Sequence, residues 1–576
     1  MKKRFKPVKS YRSDKIVEQI VDPDFNSIGK LIGKPIGKSE AVIKKGKRLI
    51  KTALIYPNTY RAGMSNLGFQ TVYKLANKIE FVSCERIFWS KPKKNSDDNP
   101  KSIETGLNLD QFDVIMFSIS FENDFLNLIQ LLAQAGIPLR SSDRNHIHHP
   151  LVVAGGVACF LNPEPISPFI DCFLLGEAEC LLENFFDEFT KNSDKESLLK
   201  NLEQKIPGAY VPGFTTRNNL PVKVQYLKSL ETVTSCTTIL SSDTAFKSTF
   251  LIETLKGCPH GCRFCSAGFI YRPPRIYPAK NIYNAMDKAL GKTDKIGLVS
   301  SAIADHPAII DICSYGLEHK FQLSFSSLRA DKLNSTFIEA LSNSKIKTAT
   351  LAPEAGSKRM LKIINKNIDS KDIIDAVKKL VNAGIMNLKL YFMIGLPFEQ
   401  IKDVHAIVEL TKDIKSVFLE ESKKRKKIGT ITLSINPFIP KPVTPFQWAA
   451  MEDEKTLKIK TDIIRQGLKK IANIKINIES LKKAKINALL SCGDKKSADI
   501  LESALKYGWA SALRKNKEYC NLVIYSEKPL NAPLPWDFVD NHVNKKFLVK
   551  EFLKAKDEKT SVPCPMIDCS KCKICI

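Results

Sequence analysis

From residue 52 to residue 435 the chain repeats one pattern: short apolar runs that stop at polar or glycine residues, separated by stretches with helical spacing. In the first half the strand-like runs are 53–56, 112–118, 151–156 and 169–177. Residues 68–77 read as a helix, and Phe125, Leu128, Ile129 and Leu132 mark one face of another. Parallel strands need crossovers of this length, so the pattern predicts a doubly wound sheet that binds its ligand beyond the strands' carboxyl ends. The loops placed there are 57–68, 118–120 and Gly155-Gly156. In the second half, runs 250–255, 296–301, 322–326, 348–352, 387–393 and 430–435 make six strands. Ile373, Ile374, Val377, Leu380 and Val381 mark a helix among them. A barrel of parallel strands carries its chemistry at the carboxyl ends, and each of these runs stops at something polar.

The chain has 576 residues, room for about three or four domains. Its apolar fraction is that of a globular protein, and no apolar run is long enough to span a membrane. The basic start, Met1-Lys-Lys-Arg-Phe-Lys, lacks the apolar segment of a signal peptide, so a cytoplasmic location is expected. Fifteen cysteines in such a chain favour metal ligation and buried thiols over disulfides. The net charge of +27 suits a polyanion partner, RNA or tRNA first. A general Lys, Asn and Ile bias gives the same number, and charge alone does not choose. Residues 33–39 look like a phosphate loop but have one residue too few before Gly-Lys-Ser, and no strand precedes them. The His146-Ile-His-His149 tract lies in a polar loop and reads as solvated surface.

After the run 250–255 comes Gly257-Cys258-Pro-His-Gly261-Cys262-Arg-Phe-Cys265. Iron–sulfur clusters are held by Cys thiolates, four for an ordinary four-iron cluster. Three close thiolates with no fourth nearby leave one iron open to a ligand, as catalytic metal sites keep an open position. Gly257 and Gly261 permit the tight loop. This loop resembles the signature of radical S-adenosylmethionine (SAM) enzymes.

That resemblance implies a partial (β/α)6 barrel, a [4Fe-4S] cluster on Cys258, Cys262 and Cys265, SAM on the open iron, and a one-electron donor such as a flavodoxin or ferredoxin. It also implies site residues at the strand ends. Arg329 would clamp the SAM carboxylate, Glu354 the ribose hydroxyls, and Gly395 and Pro397 would flank adenine. The family's Gly-Gly-Glu is absent after residue 299, and Ser300 or Asp305 would take its place on the SAM amino group. The first-half sheet is similar to the cobalamin-binding-like domain of one radical SAM subgroup, with Asn66-Leu-Gly68, Gly155 and Gly156 as counterparts. That domain's Asp-x-His-x-x-Gly is missing, so either cobalamin would bind without a histidine on cobalt or the fold is kept without cobalamin. The Pro-rich segment 437–448 is similar to one in methylthiotransferases that act on tRNA or protein. Together with Cys492-Gly-Asp and Leu534-Pro-Trp-Asp537, the whole chain is similar to a family of bacterial radical SAM proteins without an assigned reaction.

The chain ends with Cys564, Cys569, Cys572 and Cys575 at intervals that fit a ferredoxin-like run or a four-thiolate zinc site, and we favour a second cluster. The reading is α/β. It comprises a basic arm (1–50), a Rossmann-like domain (51–230), a linker (231–248), the radical SAM barrel (249–450), a helical C-terminal region (451–555) and a metal-binding tail (556–576). No residue is singled out as catalytic. Three functions stay open: a radical SAM enzyme acting on RNA, a cobalamin-linked one acting on a small molecule, and a non-catalytic cluster protein.

Overall fold

A computed structural model describes residues 16–22, 49–91, 99–145, 148–192, 194–214, 220–326, 328–344, 346–566 and 572. Most of the basic arm, His146, Cys569 and Cys575 lie outside the described residues. His148 and His149 fall in a surface turn, as the polar loop predicts.

The N-terminal sheet comprises β1 (Ile50–Tyr56), β2 (Val82–Phe88), β3 (Val114–Ser118), β4 (Leu151–Gly155), β5 (Cys172–Leu174) and β6 (Ala209–Tyr210). Its order is β2-β1-β3-β4-β5-β6, with only the last pair antiparallel. Successive side chains face opposite sides, so Ala53 and Ile55 enter one core while Leu54 and Tyr56 enter the other. Helix α1 (Leu67–Lys78) follows β1, its first turn capped by Asn66, whose side chain accepts from the Phe69 N–H at 2.9 Å. In α2 (Phe125–Gln134) the expected face of Phe125, Leu128, Ile129 and Leu132 is fully buried.

Strand β2 was not expected, because Cys84-Glu-Arg86 breaks its apolar run. The charges are nevertheless inside. Arg86 donates to both Glu18 carboxylate oxygens at 2.9 Å and to Glu104 at 2.7 Å, and paired burial of this kind leaves no apolar trace in sequence. The linker 231–248 is also tied down. Ile239–Ser241 pairs antiparallel with Glu18–Ile20, and Gln70 on α1 accepts from the Thr238 and Ile239 N–H groups.

In the second half all six expected strands are present: β7 (Phe250–Glu253), β8 (Lys295–Val299), β9 (Gln322–Phe325), β10 (Thr348–Glu354), β11 (Asn387–Ile394) and β12 (Ile431–Pro437). All neighbours are parallel, and a bridge from Leu328 to Leu351 links β9 to β10. A further parallel strand, β13 (Ile474–Ile478), lies within the stretch read as helical and extends the sheet past β12. Its Ile-Lys-Ile-Asn-Ile alternation has the two-residue period of a strand, obscured by the Lys-rich helices around it.

The C-terminal region is mostly helical and binds the two sheets together. Helix α3 (Ser497–Tyr507) lies against α2, and Arg140 pairs with Asp499 at 2.5 Å and Glu502 at 2.9 Å. Trp536 donates to Gln447 at 2.8 Å, and Val539–Asp540 pairs with Val222–Lys223. Trp448, Trp536 and Leu548 share one core with Ile55 and Phe160 of the N-terminal half. Among the described residues no helix is long and apolar enough to cross a membrane.

Candidate active site

The cysteine loop follows β7. Gly257 takes a positive φ of 82°, and a side chain there would meet Tyr271. Arg263, between Cys262 and Cys265, is completely buried. It donates to the Lys362, Ile363 and Lys559 carbonyls at 2.8–3.0 Å and to Glu551 at 3.1 Å, so three separate segments hold the loop. Burial and the Cys262 thiol push Cys258 up to about 12 and Cys265 up to about 11, with a smaller push on Cys258 from Cys265. Thiols this close hinder one another's ionisation until a cation is shared between them. Among the described residues no three His, Cys, Asp or Glu side chains close on a single ion. Cluster ligation puts each thiolate on a separate iron, so it does not require such closure.

His260 of the loop is buried. Its Nε2 lies 2.9 Å from Asp305, while Nδ1 has no hydrogen-bond partner. Burial opposes the charge on Asp305, but His260, Lys332 and Arg329 hold its carboxyl below the usual range. Asp305 thus faces the cysteine loop. Ser300 is buried at the end of β8, where its hydroxyl accepts from the Ala302 N–H at 3.0 Å.

Arg329 forms a two-pronged pair with Asp331 at 3.0 and 3.2 Å and donates to the Lys366 carbonyl at 3.1 Å. Glu354 ends β10 with a φ of +67°, left-handed for a residue with a side chain, which marks strain held at a site. Its carboxylate meets the buried Lys366 ammonium at 3.3 Å. Burial works against the Lys366 charge, yet Glu354 and Cys262 raise its pKa, so the cation is kept.

Lys366 was not singled out from the sequence. The available signal was Asn365-Lys-Asn367, whose asparagines both take positive φ, 56° and 50°. Cys262, Cys265, Lys366, Glu354 and Arg329 form one electrostatic neighbourhood. Gly395 lies at the end of the adjacent strand with a φ of 73°; its N–H donates to Glu399 at 2.7 Å, and Pro397 follows in the same turn. Lys460 bridges Glu399 and Glu452 behind it, at 2.8 Å to each.

Gly155 and Gly156 belong to a different space. A cavity of about 560 Å³ lies where the carboxyl ends of both sheets meet. The N-terminal domain contributes Ser118, Ser120, Gly155 and Gly156, and the barrel contributes Glu253, Lys256, Gly257 and Ser300. At one rim Glu177 binds Arg275 at 2.7 Å, with Lys256 3.7 Å away.

Comparison with known proteins bears on this layout. Residues 68–212 match the family described as "Radical SAM proteins, N-terminal", and residues 252–411 match the "Radical SAM superfamily". An uncharacterized protein of Methanocaldococcus jannaschii is 31% identical over 478 residues, covering 82% of this chain and 95% of that one. The chain belongs to the radical SAM superfamily. An uncharacterized methyltransferase of Pyrococcus horikoshii is 24% identical over 283 residues, 47% of this chain and 60% of that one. Among solved structures, the cobalamin-dependent SAM radical enzyme OxsB with aqua-cobalamin aligns at a TM-score of 0.45 and 14% identity, covering 88% of this chain and 80% of its own. The radical SAM methyltransferase TsrM of Kitasatospora setae, with cobalamin and a [4Fe-4S] cluster, aligns at 0.44 and 12%, covering 69% and 73%.

As a radical SAM enzyme the chain has a [4Fe-4S] cluster and SAM as cofactors. Its residues fit both. A buried, braced loop offers three thiols and an orphaned His260 nitrogen, and Lys366 supplies a retained cation beside them.

Proposed function

We propose that the chain cleaves SAM to generate a radical that removes hydrogen from an unactivated C–H bond of a small molecule, with cobalamin bound between the sheets. Cys258, Cys262 and Cys265 would hold the cluster, which when bound would supply the one electron for reductive cleavage of SAM. Arg329 and Lys366 are the cations at hand for the SAM carboxylate, Glu354 is the acid for the ribose hydroxyls, and Ser300, at the second strand end and in the cavity lining, would meet the SAM amino group. The Gly395–Pro397 turn would flank adenine. A flavodoxin or ferredoxin would serve as external donor.

The observation that carries this reading is the cavity lined from both sheets at their carboxyl ends. Cobalamin fits its character. Met116, Val153, Leu174 and Leu182 give an apolar wall for a macrocycle. Gly156 and Gly176, with φ of 102° and 144°, let the cavity wall pack directly on Ile119 and Gln225 main chain, which a side chain at either would strike. Ser118 and Ser120 offer hydroxyls to peripheral amides. No histidine is among the described lining residues. Bound there, cobalamin would supply a carrier for methyl transfer or a partner in rearrangement.

Anaerobic protein incubated with hydroxocobalamin and passed through gel filtration should retain the chromophore, and Ser118→Phe, which fills the cavity from its lining, should lose it while keeping its cluster. Elution of wild-type protein without cobalamin would end this half of the proposal. The net charge of +27 supports a second reading, modification of RNA. It predicts tRNA binding that weakens steeply with salt, and a modified nucleoside that disappears from total RNA when the gene is deleted.

A further inference from the structure

Lys256, Glu253 and Tyr271 line the barrel side of the cavity between the sheets, and each keeps bonding capacity that the protein does not use. The Lys256 ammonium stands 3.7 Å from Glu177 and 3.7 Å from Glu253, within ion-pair range but too far to donate a hydrogen bond to either. Glu177 is satisfied elsewhere, since Arg275 donates to both of its oxygens at 2.7 and 3.1 Å. Glu253 accepts from the Tyr277 hydroxyl at 2.9 Å on one oxygen, and its other oxygen has no hydrogen-bond donor among the described residues. The Tyr271 ring is braced edge-on by Phe160 at 6.3 Å, while its hydroxyl has no hydrogen-bond partner among the described residues. Burial pushes the Tyr271 phenol up to about 12, so it is a donor at neutral pH; Lys256 opposes this shift and Glu253 adds to it, which places the three groups in one neighbourhood.

The formal charges on this wall cancel, with the cations Lys256 and Arg275 against the anions Glu177 and Glu253. Leu255 and Val299 beside them are apolar. A ligand with a net charge would carry it into this space unbalanced, which is costly. A phosphate ester would also face two carboxylates of its own sign. A ligand with one charge of each sign meets donors in Lys256 and Tyr271 and an acceptor in Glu253. Its two charges must lie close together, because Lys256 and Glu253 are only 3.7 Å apart. An α-amino acid carries its ammonium and carboxylate on one carbon and so pairs with both residues at once.

We infer that Lys256, Tyr271 and Glu253 recognise the α-amino acid group of the small molecule on which the enzyme acts. The Lys256 ammonium and the Tyr271 hydroxyl donate to its carboxylate, and Glu253 accepts from its ammonium. Phe160, packed against Tyr271, and Val157 of the N-terminal domain offer an apolar surface for its side chain, which favours apolar and aromatic amino acids. Only Gly257 separates Lys256 from Cys258, so a molecule held here lies beside the cysteine loop. The inference rests on the reading that this cavity receives a small-molecule substrate, and the test separates the two.

The full, cluster-loaded chain is kept anaerobic and without reductant, with excess SAM so that the SAM site is filled. Saturation-transfer NMR screens each proteinogenic L-amino acid, and calorimetry measures the tightest binder. Its N-acetyl derivative, which lacks the ammonium, and its carboxamide, which lacks the carboxylate, should each bind about 10–100-fold more weakly. Glu253→Gln should weaken the amino acid by a similar factor and leave the N-acetyl derivative unchanged. Lys256→Met should weaken it likewise and leave the carboxamide unchanged. Equal binding of all three forms by the wild-type chain would overturn the inference without recourse to a variant, as would failure of every amino acid to bind. Reduction of the same samples then tests the reading beneath it. Formation of 5′-deoxyadenosine with no amino acid bound removes this inference and keeps the radical reading, whereas a bound amino acid with no 5′-deoxyadenosine keeps the recognition site and removes the radical reading.

Discussion

His260 Nε2 and Asp305 Oδ2 stand 2.9 Å apart, joining the cysteine loop to the segment that follows β8. His260 lies midway between Cys258 and Cys262, so the carboxylate orients the ring from outside the ligand set. Removing such supporting partners commonly costs about 10–100-fold in metal affinity or activity. Asp305→Asn is expected to fold normally and to lose iron to a chelator about 10–100-fold more readily than wild type. Unchanged iron retention would show that the pair does not position the loop.

Lys366 and Glu354 support one another, so their variants should separate stability from cofactor binding. Lys366→Met leaves Glu354 without its partner and should cost about 2 kcal/mol in urea unfolding. Adding Glu354→Gln should recover much of that loss. Neither the single nor the double variant should bind SAM with wild-type affinity, because both remove the cation beside Cys262. Calorimetric titration of SAM into cluster-loaded protein reads this directly.

Asp124 gives a pH signature. Burial, with a smaller push from Glu122, raises its carboxyl to about 6 despite the Asn58 hydrogen bond. The folded chain therefore holds this proton more tightly than the unfolded chain. Its stabilising contribution is full below the ordinary carboxyl range and is lost as pH rises through about 6. Asp124→Asn should flatten that portion of the stability profile and raise stability at pH 7 by roughly 2–3 kcal/mol. Thermal melts from pH 4 to 7.5 measure both.

Arg86 holds two buried carboxylates, Glu18 of the N-terminal arm and Glu104 of the Rossmann-like domain. Arg86→Met should destabilise the chain by about 3–5 kcal/mol, since it strands both charges. The triple variant Arg86→Met, Glu18→Gln, Glu104→Gln should regain most of this in chemical unfolding.

The strands ending at Ser118, Gly155 and Val299 were legible because their apolar runs have strand length and stop at small or polar residues. The cysteine loop was legible because three thiols within eight residues have few other uses. Strand β2 was not, since buried Glu85 and Arg86 look like surface charges until their partners are known. Lys366 was hidden for the same reason: a lysine between two asparagines reads as a solvated turn. Asp305 was legible as a polar residue near the second strand end, but its pairing with His260 depends on how closely the loop lies to β8.

Spacing along the chain therefore determined the parallel α/β architecture and the three-thiol loop, because strand period, crossover length and ligand intervals are local properties. The tertiary structure alone decided what lies between the sheets, which charges pair in the interior, and that Cys564 sits against the cysteine loop. Those relationships join residues tens to hundreds of positions apart, Arg263 to Glu551 and Cys564 to Pro259 among them. Only closure of the chain brings such groups within bonding distance, and no periodicity records it.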